Sequence, residues 1–155
     1  MVNIKMSGSS AIESSGIGGQ LGFLLRQAQA AVWQDLIATL APFDLRPAQY
    51  AALRIVRARP GCKQQEIGDS LAIQRPNMVR LVDGLRARGL LTAVRNPADR
   101  RSYALELTAA GARLLACADR AHDGHEARLA ACLGDADTAA LAGALRRLGR
   151  LGDGG

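Results

Sequence analysis

Apolar residues recur at helical spacing along most of the chain. Leu21, Leu24, Leu25, Ala28, Val32 and Leu36 fall at i, i+3, i+4 and i+7 intervals, which predicts an amphipathic helix from about Gly19 to Leu40. Pro42 ends it. Phe43-Asp44-Leu45-Arg46 then leads to Pro47, a residue suited to the first turn of a second helix that runs to about Ala58. Tyr50, Leu53, Ile55 and Val56 lie on or near the inner side of that helix, and Pro60-Gly61 stops it. A short third helix, about Lys63 to Leu71, sets Ile67 and Leu71 one turn apart. A fourth, about Arg75 to Arg88, carries Met78, Leu81, Val82 and Leu85 as its stripe, with Gly89 as its closing glycine.

The period then changes. Leu90 to Val94 is short and compatible with a strand, and Tyr103, Leu105 and Leu107 alternate with Ser102, Ala104 and Glu106 at period two. Between them, Arg95-Asn96-Pro97-Ala98-Asp99-Arg100-Arg101 has turn chemistry, so a β-hairpin with a basic tip is expected. Thr108 is placed to cap a further helix over about 109–131; Gly134-Asp135 interrupts it, and a last helix of about 136–151 carries Leu141, Leu145 and Leu148. No internal repeat is present. The fold class is mainly α with a small β-hairpin wing.

Charge sharpens this picture. Residues 46–101 hold eleven Arg and one Lys against Glu66, Asp69, Asp83 and Asp99, a net +8, while the flanks on either side are each −1. Three short helices and a hairpin inside one basic segment form a winged helix-turn-helix pattern, and such a segment suits a polyanion. With Met78 at zero on a wheel of about 100° per residue, Leu81, Val82 and Leu85 fall within about 60° of it, and Pro76, Asn77, Arg80 and Gly84 fall opposite. One face is core-facing. The other is slim, with an amide and a guanidinium that suit base edges in a major groove, and Arg75 flanks it. At the hairpin, Asp99 and Arg101 share one side of a strand, where the carboxylate can hold the guanidinium for a narrow minor groove.

These residues resemble the MarR family. The matching runs are Arg46 to Tyr50, Gln64 to Leu71, Arg75 to Leu85, Arg88 to Leu91, Asn96 to Arg101, and the Leu107-Thr108-Ala109-Ala110-Gly111 segment. The resemblance spans about residues 20–151. It implies a homodimer that binds palindromic double-stranded operator DNA, with wings in minor grooves, and a repressor released by a small effector such as a phenolic or aromatic acid or an acyl-CoA thioester. It divides the chain into a flexible tail (1–18), an N-terminal dimerisation helix (19–45), a winged helix-turn-helix domain (46–107) and C-terminal dimerisation helices (108–155). Carried over position by position, it implies groove contacts by Pro76, Asn77 and Arg80, a flank contact by Arg75, a minor-groove finger at Arg101 aligned by Asp99, and phosphate contacts by Arg100 and Arg95. The family more often has Ser or Thr where this chain has Pro76 and Asn77, which leaves the operator sequence open.

An aromatic acid needs aromatic walls and a cation. The first two helices and their link offer Phe23, Arg26, Trp33, Phe43, Arg46, Tyr50 and Arg54; Arg26, Trp33 and Tyr50 are the candidate ligand residues, though the aromatics serve equally as core. Two other sensing chemistries stay open. Cys62, expected at a helix start, is placed for a dipole-lowered thiol pKa. Asp119, His122 and Glu126 fall at i, i+3 and i+7, a spacing that chelates a metal or is simply solvated charge. A non-specific architectural DNA-binding protein is a further alternative, against which the Asn77/Arg80 face argues. No nucleophile–base motif and no phosphate-binding glycine loop is present, so neither enzyme activity nor a cofactor is expected. With no long apolar run and no secretory pattern at the N-terminus, the chain reads as cytoplasmic.

The wing reading predicts that Arg101→Ala weakens DNA binding and flattens its salt dependence, lowering the log–log slope by about 1. An unchanged slope in a salt titration would take the wing off the DNA.

Overall fold

The structure is a computed structural model that describes residues 16–96, 99–134 and 136–151, with the side chains of 95–96 and 99–103 outside the description. Six α-helices and three strands are assigned among these residues: α1 (Leu21–Leu40), α2 (Pro47–Ala58), β1 (Cys62–Lys63), α3 (Gln64–Leu71), α4 (Arg75–Ala87), β2 (Leu91–Asn96), β3 (Asp99–Leu107), α5 (Ala109–Leu133) and α6 (Thr138–Leu148). Most of the tail expected over residues 1–18 lies outside the described residues, as do Pro97 and Ala98 at the hairpin tip. No helix among the described residues is long and apolar enough to cross a membrane.

The helices begin where proline and polar caps permit. Pro47 and Pro76 sit in the first turns of α2 and α4, where a missing N–H costs nothing. Thr108 Oγ1 accepts from the Gly111 N–H at 2.9 Å, and Asp137 Oδ1 accepts from Ala139 and Ala140 at 2.9 and 3.0 Å. The Asp137 cap starts the last helix at Thr138, two residues later than apolar spacing alone indicates.

The core is formed where α2, α3, α4, the sheet and α5 meet. Leu53, Val56, Ile67, Met78, Val82, Leu85, Leu105 and Leu115 are its buried centre, closed from α1 by Leu40. The expected hairpin is joined by a strand that periodicity did not reveal. Cys62 pairs with Leu105 and Lys63 with Ala104, giving an antiparallel sheet ordered β1-β3-β2. Cys62 therefore lies in a strand and not at a helix start.

The apolar stripe of α1 is real, but this chain does not bury it. Leu40 is the helix's one buried residue; Leu21 is 63% exposed, and Leu24, Val32, Trp33 and Ile37 are also exposed. In α6, which has no buried residue, Leu141 and Leu145 are exposed as well. Helical spacing records an apolar face, not which chain covers it.

One glycine locks the end of α4 to the start of α5. A Cβ on Gly111 would lie 2.0 Å from the Leu90 carbonyl oxygen, so only glycine allows that approach. The same Leu90 oxygen accepts from Thr108 N–H at 3.1 Å, while Thr108 Oγ1 donates to the Gly89 carbonyl at 2.6 Å. Gly89 itself has φ +66°, the left-handed turn that closes α4. Gly111→Ala should therefore destabilise the fold by about 1–3 kcal/mol in urea unfolding, the usual cost of overpacking. An unchanged midpoint would show that the two segments separate freely.

Candidate nucleic-acid interface

The third and fourth helices form a compact corner. Ala72, with φ 51°, ends α3 in the left-handed conformation, and the Ile73 N–H returns to the Gly68 carbonyl at 2.9 Å. Beyond this turn α4 is anchored by Met78, Val82 and Leu85, each at most 2% exposed. Their burial leaves Arg75, Pro76, Asn77 and Arg80 exposed together on the outer side. The wheel holds for the three buried anchors and for the exposure of Pro76, Asn77 and Arg80, whereas Leu81, expected inward, and Gly84, expected outward, are both half-buried.

The wing backbone extends the pairing from Leu91↔Leu107 to Arg95↔Tyr103, and a register shift then brings Asn96 opposite Asp99. The side chains of Arg95, Asp99, Arg100 and Arg101 lie outside the described residues, so the Asp99–Arg101 arrangement stays a sequence expectation.

A cleft of about 940 Å³ opens between α1, the α1–α2 link, the start of α2 and α4. Trp33, Ile37, Leu45, Pro47, Ile73 and Leu81 supply apolar wall, while Asn77, Arg46, Arg80 and Arg88 bring an amide and three guanidinium groups to it. Among the described residues, Arg46 and Arg80 make no ion pair. Asp44 is the one carboxylate among the described residues of the cleft, and it lies 3.6 Å from Arg88. Of the three ligand residues expected from sequence, Trp33 lines this cleft. Arg26 and Tyr50 do not: Arg26 sits over the Phe23 ring at 5.8 Å, and Tyr50 is buried toward α5. Arg46, weighed in sequence only as a neighbouring cation, is part of the wall.

Tyr50 belongs to a polar seam along α5. Its hydroxyl donates to Asp119 Oδ1 at 2.8 Å, and Arg57 donates to the other Asp119 oxygen. Burial, reinforced by the Asp119 carboxylate, pushes the Tyr50 phenol up to about 12, so it stays a neutral donor. The Tyr50 ring stacks on His122 at 5.2 Å, and His122 is 5.6 Å from the His125 ring. His125, 2% exposed, places Nδ1 2.5 Å from Asp35 Oδ2 on α1, and Arg128 donates to Asp35 at 2.7 Å and to Thr39 Oγ1 at 2.7 Å. The seam thus ties α5 to α2 at one end and to α1 at the other.

This arrangement engages two residues of the metal alternative, Asp119 and His122. Asp119 is engaged by Tyr50 and Arg57 while Glu126 faces His122 at 3.7 Å, and no group of three metal-ligating side chains occurs among the described residues. Cys62 is buried, and burial, with Glu66 nearby, pushes its thiol up, opposite to the lowering expected at a helix start.

A turn-linked helix pair followed by a β-sheet wing defines the winged helix-turn-helix class. Residues 43–102 match the model of the MarR family. A Thauera aromatica protein assigned as transcriptional regulatory protein for the hcr operon is 31% identical over 135 residues, 86% of this chain and 81% of that one. The transcriptional repressor CouR bound to a 23-mer DNA duplex is similar with a TM-score of 0.81 at 40% identity, over 86% of this chain and 95% of that chain. CouR bound to p-coumaroyl-CoA is similar with a TM-score of 0.78 at 35% identity, over 96% and 99%. The chain belongs to the MarR family of transcriptional regulators.

The seam has a pH signature. Hydrogen bonds from Arg128 and then His125 hold the Asp35 carboxyl below its ordinary 3.8; at Asp119 burial pulls upward, but Arg57 and Tyr50 together outweigh it and the net shift is also downward. A carboxylate depressed in the folded state stabilises above its unfolded pKa, and that contribution is lost as pH falls through the folded value. The Asp35→Asn, Asp119→Asn double variant should therefore lose less stability than the parent chain between about pH 7 and about pH 3 in urea titrations. Equal losses would mean that these carboxylates are not held by their partners in solution.

Proposed function

We propose that this regulator is a sequence-specific repressor that binds palindromic double-stranded operator DNA as a homodimer and is released by an amphipathic anionic effector. The observation that carries the reading is the outer face of α4. Pro76, Asn77 and Arg80 stand exposed at the N-terminal half of a helix whose opposite side is buried, the geometry that lets a helix enter a major groove. Asn77 suits adenine and Arg80 suits guanine; Arg75 approaches the flanking backbone, and Arg95, Arg100 and Arg101, with Asp99, serve the wing. The exposed apolar faces of α1 and α6 support a second copy of the chain as their cover, which makes residues 19–45 and 108–155 the dimerisation parts around the DNA-binding segment 46–107.

The cleft supports the effector half. Its apolar walls, with Trp33 among them, suit an aromatic or acyl body, and Arg46 and Arg80 suit a carboxylate, thioester or phosphate-bearing end. The CouR complex with p-coumaroyl-CoA makes that acyl-CoA thioester the first probe to try. Because Asn77 and Arg80 border the cleft as well as the outer face, occupancy there bears on DNA reading directly.

Binding to the DNA upstream of the protein's own gene, competed with random DNA, tests the reading. The parent chain should localise to a palindrome, and Arg80→Ala should lose about 1–3 kcal/mol of discrimination against random DNA. Equal affinity of the parent chain for both DNAs would favour a non-specific architectural role; an unchanged ratio in the variant would remove α4 from base reading.

A further inference from the structure

We propose that Arg88 is a positioning residue for operator recognition, a latch that ties the far end of the reading helix to the end of α1, and that an anion in the cleft acts by pulling this latch open. The release half rests on the effector reading above; the positioning half does not.

The geometry is specific. Arg88 is the residue that closes α4, at the opposite end from Pro76 and Asn77. Its Nη1 donates to the Asp44 carbonyl at 2.5 Å and its Nη2 to the Phe43 carbonyl at 3.1 Å. These oxygens end the single 3-10 turn, Ala41–Phe43, that continues α1. The last carbonyls of a helix have no partner within it and carry its negative dipole end, so one guanidinium satisfies two of them with favourable charge. A planar fork meets both oxygens in a fixed geometry, which the three rotatable donors of an ammonium do not impose. Asp44 holds its carbonyl in place through a left-handed conformation, φ 50°, which Asn also tolerates.

The consequence for DNA reading is leverage. The anchors Met78, Val82 and Leu85 fix which face of α4 points outward, but apolar contacts are non-directional and set the tilt of the helix less closely than hydrogen bonds do. A two-point latch on Arg88 sets the tilt, and with it the placement of Asn77 and Arg80. Arg88 also lines the cleft, so an anion bound there competes for the guanidinium with two neutral carbonyls and with the solvent-exposed Asp44 carboxylate 3.6 Å away, and a bond with both partners charged is stronger than one to a neutral carbonyl.

Three proteins test this: the parent chain, Arg88→Met and Arg88→Lys, each checked for native circular dichroism. Their affinities for the upstream DNA and for random DNA are measured across a salt series, with p-coumaroyl-CoA as the probe and Trp33, the chain's one tryptophan, as the fluorescence reporter of the cleft. Arg88→Met should lose about tenfold in the ratio of operator to random binding with its salt slope unchanged, because no phosphate contact is removed. Arg88→Lys should fall between the two. The probe should shift Trp33 emission in both parent and Arg88→Met, lowering operator preference in the first to about the Arg88→Met level and leaving the second where it was. An unchanged ratio in Arg88→Met and Arg88→Lys, or a slope lower by about 1, overturns the positioning role. Full additional release of Arg88→Met by the probe overturns the latch as its target. A Trp33 signal that does not move in either protein removes the effector reading and the release step with it, while the ratios still decide the positioning role.

Discussion

The anchoring of α4 by Met78, Val82 and Leu85 is the constraint on which the rest of the structure depends. Each side chain is essentially removed from solvent, which is worth about 1.5–3 kcal/mol apiece as an upper bookkeeping figure. That burial does two things together. It joins the helix to the core formed with α2, α3 and the sheet, and it commits the opposite side, with Asn77 and Arg80, to face outward. A helix with the same polar residues but a weaker stripe would be free to roll, and no surface would be defined for DNA to meet.

The surrounding polar contacts work on the ends of the elements, not on their middles. Gly111 allows α5 to start against the Leu90 carbonyl, so the exit from α4 and the entry to α5 form one joint. Along α5, His125 is buried, and a buried imidazole is costly unless bonded. Asp35 meets that need, and Arg128 and Thr39 complete the set. Nearly two turns earlier along the helix, the Tyr50–Asp119–Arg57 group ties α2 to α5. Because α5 carries both groups, a shift of α1 relative to α2 would strain bonds at each end. On the proposed reading, this stiff connection lets an event in the cleft between α1 and α4 bear on the orientation of α4.

Much of the fold was legible because its causes are local. Prolines at 47 and 76, the stripe of α4, Gly89, the Thr108 cap and the alternation from Tyr103 to Leu107 each act through neighbours within about one or two helical turns, so residue order alone carries them. The outer face of α4 was legible for the same reason: once Met78, Val82 and Leu85 point inward, helical geometry leaves Pro76, Asn77 and Arg80 no other side. The concentration of arginine between residues 46 and 101 is likewise a property of the chain itself.

Only the tertiary structure decided the contacts whose partners are distant or are backbone atoms. Cys62 looked like a helix start because nothing near it announces a strand; its partner, Leu105, lies far along the chain, and pairing buried the thiol that a helix end would have activated. Tyr50 resembled a ligand residue until Asp119 and His122 arrived on α5 and turned it inward. Asp119, His122 and Glu126 share a helical spacing, yet Arg57 and Tyr50 occupy the first of them. Arg88 bonds to carbonyl oxygens at Phe43 and Asp44, and every residue has a carbonyl, so no residue type could mark the partner. The sequence by itself determined which faces are apolar and where each element starts and stops. Which apolar faces this chain covers, and which polar groups find each other, were set by the packing of elements remote in sequence, because burial and hydrogen bonding depend on distance in space and not along the chain.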